Sequence, residues 1–116
     1  MNENLNDRLF KFAVNVLKFL PNLAKTHEMS VVRYQLAKSS SSAGANYEES
    51  QAGSSKSDFN NKVRISLREM RESNYWLRII KSTLNDNKLN EDLNYLIDES
   101  DQLKKILGSI VTKTNK

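Results

Sequence analysis

The chain has 116 residues, of which 38% are hydrophobic and 28% charged, a balance typical of one small folded domain with wide solvated faces. It has no cysteine and a single histidine, which excludes disulfides, thiolate nucleophiles and metal sites built on cysteines or paired histidines, so we predict no metal and no cofactor. The net charge of +4 is compatible with an acidic partner such as RNA or DNA, and the lack of a long apolar segment predicts a cytoplasmic protein with no membrane partner.

The first predicted helix runs from about residue 6 to residue 20. One apolar stripe at helical spacing predicts the face that packs into the core: Leu5, Leu9, Phe12, Val16, Leu20 and Leu23. A second stripe, Phe10, Val14 and Leu17, is rotated away from the first. A helix that is apolar on two sides exposes one of them in a monomer, so we predict that the second stripe is an oligomer interface. A wider bundle core is the alternative.

The second predicted helix runs from about residue 30 to residue 52, with Ser30 as its N-cap. At its centre lie seven small residues, Ser39-Ser40-Ser41-Ser42-Ala43-Gly44-Ala45. By composition alone this run is typical of a flexible linker. Because Val32, Leu36, Ala43 and Tyr47 share one helical face, we predict a helix instead. A face of small residues then allows a neighbouring backbone to come very close.

Two longer helices complete the chain. The third is predicted over about residues 57–84, with Ser57 as its N-cap, and the fourth over about residues 90–112. No segment alternates with a period of two residues, so no strand is predicted. Four helices joined by short turns favour an all-α, antiparallel, up-and-down four-helix bundle that forms a single domain over residues 1–116.

A row of cations is predicted on the third helix. Its members share one stripe roughly opposite the apolar face: Arg64, Arg68, Arg71, Tyr75 and Arg78. Guanidinium groups beside an aromatic ring suit phosphate contact and base stacking, so we predict a nucleic-acid-binding surface here. The alternative is an ordinary solvated face, in which Glu72 neutralises part of the charge of Arg68.

Glu69 projects toward the edge of the apolar arc of the third helix. A carboxylate there needs a partner, and Arg33, Lys38 or a serine of the small-residue run are the candidates. A general acid or base paired with Glu48 or Glu49 is the catalytic alternative. Since no nucleophile, metal-ligand set or phosphate-binding loop accompanies these residues, we predict that the protein is not an enzyme and has no catalytic residues.

Several short motifs stand in a specific order across the second and third helices: Gln35-Leu36, Ser42-Ala43-Gly44-Ala45-Asn46-Tyr47-Glu48-Glu49, Ser57-Asp58-Phe59, Lys62, Glu69, Glu72 and Tyr75-Trp76-Leu77. Together they resemble the four-helix-bundle family of proteins encoded in 23S rRNA intervening sequences, also labelled S23 ribosomal protein. That family includes the accessory variability proteins of diversity-generating retroelements. The resemblance covers the chain from about Leu5 to Val111.

The resemblance implies a homopentamer shaped like a barrel, and its retroelement members imply RNA and a reverse transcriptase as partners. This chain departs from the most basic members, because its net charge is only +4 and it has Lys38-Ser39 where many relatives have an arginine-rich pair. The leading hypothesis is a non-catalytic oligomeric scaffold that binds RNA or another nucleic acid. A protein–protein adaptor with no nucleic-acid role is the alternative.

Overall fold

In the described residues, four antiparallel helices pack as an up-and-down bundle. The computed structural model describes residues 4–53 and 55–114, with α1 at Leu5–Phe19, α2 at His27–Ser50, α3 at Lys56–Thr83 and α4 at Asn90–Thr114. Short 3-10 turns lie at Leu20–Asn22 and Asn87–Leu89. Each helix packs against its neighbours in sequence, and α1 also packs against α4. The predicted all-α four-helix bundle is thereby confirmed over the part of the chain that the structure describes.

The start of α2 lies earlier than the sequence pattern predicts. The hydroxyl oxygen of Thr26 accepts a hydrogen bond from the backbone N–H of Met29 at 3.1 Å, so Thr26 is the N-cap. The prediction of Ser30 as N-cap is therefore wrong. Its hydroxyl donates to the carbonyl oxygen of His27 instead, at 2.6 Å. Threonine and serine are both competent caps, and the earlier one adds a turn of helix.

The turn between α2 and α3 also differs from the prediction in detail. α2 ends at Ser50, and Gly53 then adopts a left-handed backbone with φ of 84°. Ser55 is the N-cap of α3, because its hydroxyl accepts from the backbone N–H of Asp58 at 3.1 Å. The prediction of Ser57 is wrong for the same reason as in α2: more than one hydroxyl residue precedes the apolar pattern, and one before the predicted cap is used.

The predicted apolar stripe of α1 and the predicted apolar face of α2 pack into the core, together with apolar side chains of α3 and α4. Every helix contributes side chains with no exposed surface, among them Leu9, Val16, Leu36, Val63, Met70, Leu77, Leu93 and Leu103. The second stripe of α1 lies outside this core, because Phe10 is 68% exposed and Leu17 is 49% exposed. The alternative of a wider bundle core is therefore wrong for Phe10 and Leu17, whereas Val14 is half-buried.

Small side chains bring α2 and α3 close together. The hydroxyls of Ser39 and Ser73 share a hydrogen bond of 2.8 Å, and the hydroxyl of Ser66 donates to the carbonyl oxygen of Ala43 at 2.6 Å. All four residues are fully buried. A one-carbon side chain reaches the backbone of the next helix only when the two helices lie in close contact. Residues 39–45 are therefore packed helix, and the linker interpretation is wrong.

Gly44 gives a first prediction. A Cβ atom at this position would lie 3.6 Å from the backbone of Leu9, which is ordinary van der Waals contact. Gly44→Ala should therefore raise the free energy of unfolding by roughly 0.5–1 kcal/mol, since alanine loses less backbone entropy in a helix. Chemical denaturation measures this change. Gly108→Ala in α4 is the control, because no atom lies within 4 Å of its added Cβ. A loss of stability for Gly44→Ala beside a gain for Gly108→Ala would contradict the prediction.

An ion pair joins α1 to α4. The guanidinium group of Arg8 donates to both carboxylate oxygens of Glu99, at 3.1 Å from Nε and 2.6 Å from Nη2. The two side chains are mostly buried, with 24% and 18% exposed. A two-point contact of this kind has a defined geometry, so it fixes how α1 and α4 are rotated relative to each other.

Candidate nucleic-acid interface

The predicted arginine row lies along an outer face of α3. Arg64, Arg68, Arg71, Tyr75 and Arg78 are all exposed. Arg64 and Arg78 are separated by about 21 Å along the helix axis, at 1.5 Å per residue. Arg71 and Arg78 lie together beside α4, and Tyr75 joins Arg78 in a neighbouring cavity. Arg64 and Arg68 share the face but line neither of these cavities.

A basic cleft separates α3 from α4, with a volume of about 450 Å³. Its lining residues come from both helices: Arg71, Asn74, Arg78, Lys104 and Lys105. The carboxylate of Asp101 lies 3.5 Å from the ammonium group of Lys104 at this cleft. Four cations and this one carboxylate leave a formal charge of +3, which favours an anionic ligand.

Asn74 anchors the cleft to the bundle. It is 2% exposed, and its amide nitrogen donates to the hydroxyl of Ser100 at 2.8 Å and to the carboxylate of Asp101 at 3.0 Å. Its amide oxygen accepts a hydrogen bond from Nε of Arg78 at 3.0 Å. The guanidinium group of Arg78 is therefore held by a buried amide, and its remaining N–H groups stay available to a ligand.

Tyr75 presents an ordered aromatic ring next to this cleft. The side chain is 50% exposed. The guanidinium carbon of Arg78 lies 5.7 Å from the centre of its ring, and the Trp76 ring makes an edge contact at 5.4 Å with an interplanar angle of 76°. A second cavity of about 230 Å³ lies between Tyr75 and the end of α3, lined also by Ile79, Ser82 and Thr83.

Lys104 and Lys105 are functional candidates that the sequence analysis missed. The available signal was a change of charge sign along α4, whose first half carries most of its acidic residues and whose second half begins its basic ones at these two lysines. The sequence pattern places both residues on α4. The sequence pattern does not give the register of α4 against α3. This register brings Lys104 and Lys105 next to Arg71 and Arg78.

Glu69 lies among charges on the α2 side of α3. Burial raises the pKa of the Glu69 carboxyl above its ordinary value, and the carboxylate of Glu72 raises it further, whereas the charges of Arg68 and Lys38 lower it in part. Lys38 is thus the neighbour on α2. The other predicted partner, Arg33, donates instead to the carbonyl oxygen of Ala24 at 2.7 Å.

The catalytic alternative for Glu69 receives no geometric support. Contacts between Ser39 and Ser73 and between Ala43 and Ser66 set the register of α2 against α3. In this register Glu48 lies about six residues, or roughly 9 Å, along the helix axis from the level of Glu69. The amide of Asn6 on α1 donates to the Glu48 carboxylate at 3.3 Å, so Glu48 faces α1 and forms no pair with Glu69.

The raised pKa of Glu69 predicts a pH dependence of stability. The native state binds this proton more tightly than the unfolded state, so stability falls as the pH rises from the unfolded pKa through the higher native pKa. Glu69→Gln should therefore be more stable than the parent at neutral pH, and the difference should vanish at acidic pH. Thermal unfolding across the acidic range measures it. A difference between Glu69→Gln and the parent that is the same at acidic and at neutral pH would contradict the prediction.

An apolar groove lies between α1 and α2. Its volume is about 340 Å³, and α1 supplies its apolar wall through Phe10, Ala13, Val14 and Leu17. Ser41, Gly44 and Ala45 form the facing wall on α2. The three residues predicted as an oligomer interface thus line one surface. Since the helices follow one another around the bundle, this groove lies on the side opposite the basic cleft between α3 and α4.

Residues 4–53 and 55–114 contain no group of three histidine, cysteine, aspartate or glutamate side chains placed to hold a metal ion. Among the helices of the same residues, none has an apolar segment long enough to cross a bilayer.

Comparison with known proteins agrees with this architecture. The profile of the 23S rRNA-intervening sequence protein family matches residues 4–109. One crystal structure is similar in fold, with a TM-score of 0.79. It is that of a protein of unknown function from the S23 ribosomal protein family of Bacteroides thetaiotaomicron VPI-5482. The two sequences are 32% identical, and the match covers 93% of this chain and 98% of that chain. No curated protein matches the chain. Because the family match spans almost the whole chain, the chain belongs to the family of 23S rRNA-intervening sequence proteins.

Proposed function

We propose that the protein is a non-catalytic scaffold that binds RNA or another nucleic acid through its basic α3–α4 face and assembles into a homo-oligomer through its α1–α2 groove. The observation that carries the proposal is the cleft in which Arg71, Arg78, Lys104 and Lys105 converge from two helices around one carboxylate. Arginine matches the planar geometry of a phosphate group, and lysine adds positive charge.

Assembly and binding are compatible because they use opposite sides of the bundle. The apolar groove lies between α1 and α2, and the basic cleft lies between α3 and α4. Copies that associate through the groove keep their clefts accessible. A net charge of +4 per chain gives only modest attraction, and several clefts on one assembly then bind a single nucleic-acid strand more tightly than one cleft alone. The homopentamer implied by the sequence resemblance is the proposed assembly.

Titration of labelled RNA with the protein at several salt concentrations tests nucleic-acid binding. Each phosphate contact releases counterions, so the affinity should fall steeply as salt rises. Arg71→Gln and Lys105→Gln should each weaken binding and reduce the slope of log K against log salt by about one. Lys18→Gln, at an exposed position on α1, removes the same charge outside the cleft and serves as the control. Failure to bind structured or single-stranded RNA at low salt would contradict the proposal.

A protein–protein adaptor is the second candidate, and a cavity at the other end of α4 favours it. This cavity has a volume of about 410 Å³ and brings Tyr95, which is 56% exposed, next to Glu91, Asp92 and Lys18. An exposed aromatic ring among charges suits a protein interface. A protein partner such as a reverse transcriptase would remain bound after charge reversal of Arg71 and Lys105, whereas nucleic acid would not.

A further inference from the structure

We propose that the basic cleft and the cavity beside Tyr75 form one site for an unpaired stretch of nucleic acid, with a phosphate held between α3 and α4 and a base stacked on Tyr75. This inference rests on the proposed function and narrows it from nucleic acid in general to unpaired nucleotides. It depends on three features: free cations in the cleft, an ordered ring beside it, and one arginine that belongs to both.

The cleft provides the phosphate half of the site. Within the described chain, Arg71 and Lys105 have no ion-pair partner, so both are available to a ligand. The Asp101 carboxylate at this cleft pairs with Lys104 and accepts from the amide of Asn74, so it leaves Arg71 and Lys105 to a ligand. A phosphate group therefore meets two unpaired cations in addition to the tethered Arg78.

Tyr75 provides the base half of the site. Its ring is half exposed, but its orientation is fixed by the guanidinium group of Arg78 and the edge of Trp76. A ring that is already ordered loses little side-chain entropy when a base stacks on it. The cavity beside the ring adds the apolar surface of Ile79 and the hydroxyl groups of Ser82 and Thr83. An aromatic face with little hydrogen-bonding demand accepts any base.

Arg78 joins the two halves. It lines both cavities and lies three residues from Tyr75, which is about 4.5 Å along the helix axis. A base and the phosphate of its own nucleotide are covalently connected, so one strand can occupy both cavities at once. In a duplex the faces of the bases are covered by their neighbours, and Tyr75 reaches no base. The arrangement thus selects unpaired nucleotides over a double helix.

Fluorescence anisotropy with three labelled probes tests this selection: a short oligoadenylate made of RNA, the same sequence as DNA, and an RNA duplex of equal length. Tyr75→Leu should weaken binding of the single strands by about tenfold and leave duplex binding unchanged. Tyr75→Phe should retain the parent affinity, because it keeps the ring. Tyr95→Leu changes an equally exposed tyrosine outside the site and is the matched control. Arg71→Gln should weaken binding of all three probes.

The outcomes separate this inference from the proposed function. If Tyr75→Leu leaves single-strand affinity unchanged while Arg71→Gln weakens it, the cleft binds phosphate but the stacking site is overturned. Tighter binding of the duplex than of either single strand overturns the inference as well. If none of the probes binds at low salt, the proposed function fails first. A preference for single strands that depends on Tyr75 supports the inference. Comparison of the RNA and DNA single strands then shows whether the 2′-hydroxyl contributes to the affinity.

Discussion

Ala43→Leu should lower the free energy of unfolding by about 1–3 kcal/mol, because it adds side-chain volume where α2 and α3 are already in close contact. Ala43 is fully buried, and its carbonyl oxygen accepts a hydrogen bond of 2.6 Å from the hydroxyl of Ser66 on α3. A leucine side chain must either separate the helices, which breaks this contact and that between Ser39 and Ser73, or adopt a strained rotamer. Urea denaturation followed by circular dichroism measures the loss.

Ala52→Leu is the matched control for this prediction. It makes the same chemical change at an exposed position just beyond the end of α2, outside the α1–α2 groove. Its effect on unfolding should stay within roughly 0.5 kcal/mol, as is usual for surface substitutions. Equal stability of Ala43→Leu and the parent would contradict the close α2–α3 packing described above.

The packing of the small-residue run could be predicted because the residues around it carry a helical period. Val32, Leu36 and Ala43 lie on one face, and all three are buried in the structure. Composition alone favours a linker over residues 39–45, since serine and glycine are common in flexible segments. The period on both sides of the run outweighs composition because a helix propagates through small residues once its flanks are packed.

Helix starts were less predictable. In both α2 and α3 the sequence offers more than one hydroxyl side chain that can cap. Thr26 is used instead of Ser30 in α2, and Ser55 instead of Ser57 in α3. Each gives a similar hydrogen bond to the backbone, so local preference does not choose between them. The choice depends on how much of the following turn finds tertiary contacts, which a single sequence does not show.

The candidate site was predictable only as far as it lies on one helix. The arginines of α3 share a stripe by spacing alone, and the structure confirms that they are exposed together. The contribution of α4 depends on a buried contact, in which the amide of Asn74 donates to Ser100 and Asp101 and so sets the level of Lys104 and Lys105 against Arg71. A polar residue in the middle of a helix gives no sequence signal for such a contact.

The two surfaces of the bundle also differ in how favourably they interact with water. The cleft between α3 and α4 is charged and remains stable when hydrated. The groove between α1 and α2 exposes Phe10 and Leu17 beside small residues, and apolar surface of this kind is stabilised when another protein surface covers it. In a ring such as the proposed homopentamer, a different surface of the next copy covers the groove of each copy, which makes self-association the proposed way of covering it.

Phe10→Asp and Leu17→Asp should each convert the proposed oligomer to a monomer of 13.3 kDa. Both side chains are exposed in the single chain, at 68% and 49%, so the substitutions should leave the fold intact. In an assembly they would bury an unpaired carboxylate in an apolar contact, which costs several kcal/mol. Multi-angle light scattering of the parent and both variants measures the mass, and circular dichroism verifies that each variant remains helical.

Tyr95→Asp is the matched control for assembly. It introduces the same charge at another exposed aromatic residue, 56% exposed and on α4 away from the groove, so its mass should equal that of the parent. If this variant also becomes monomeric, the contact between copies is not confined to the α1–α2 groove. A parent protein that is itself monomeric at high concentration would contradict the proposed assembly.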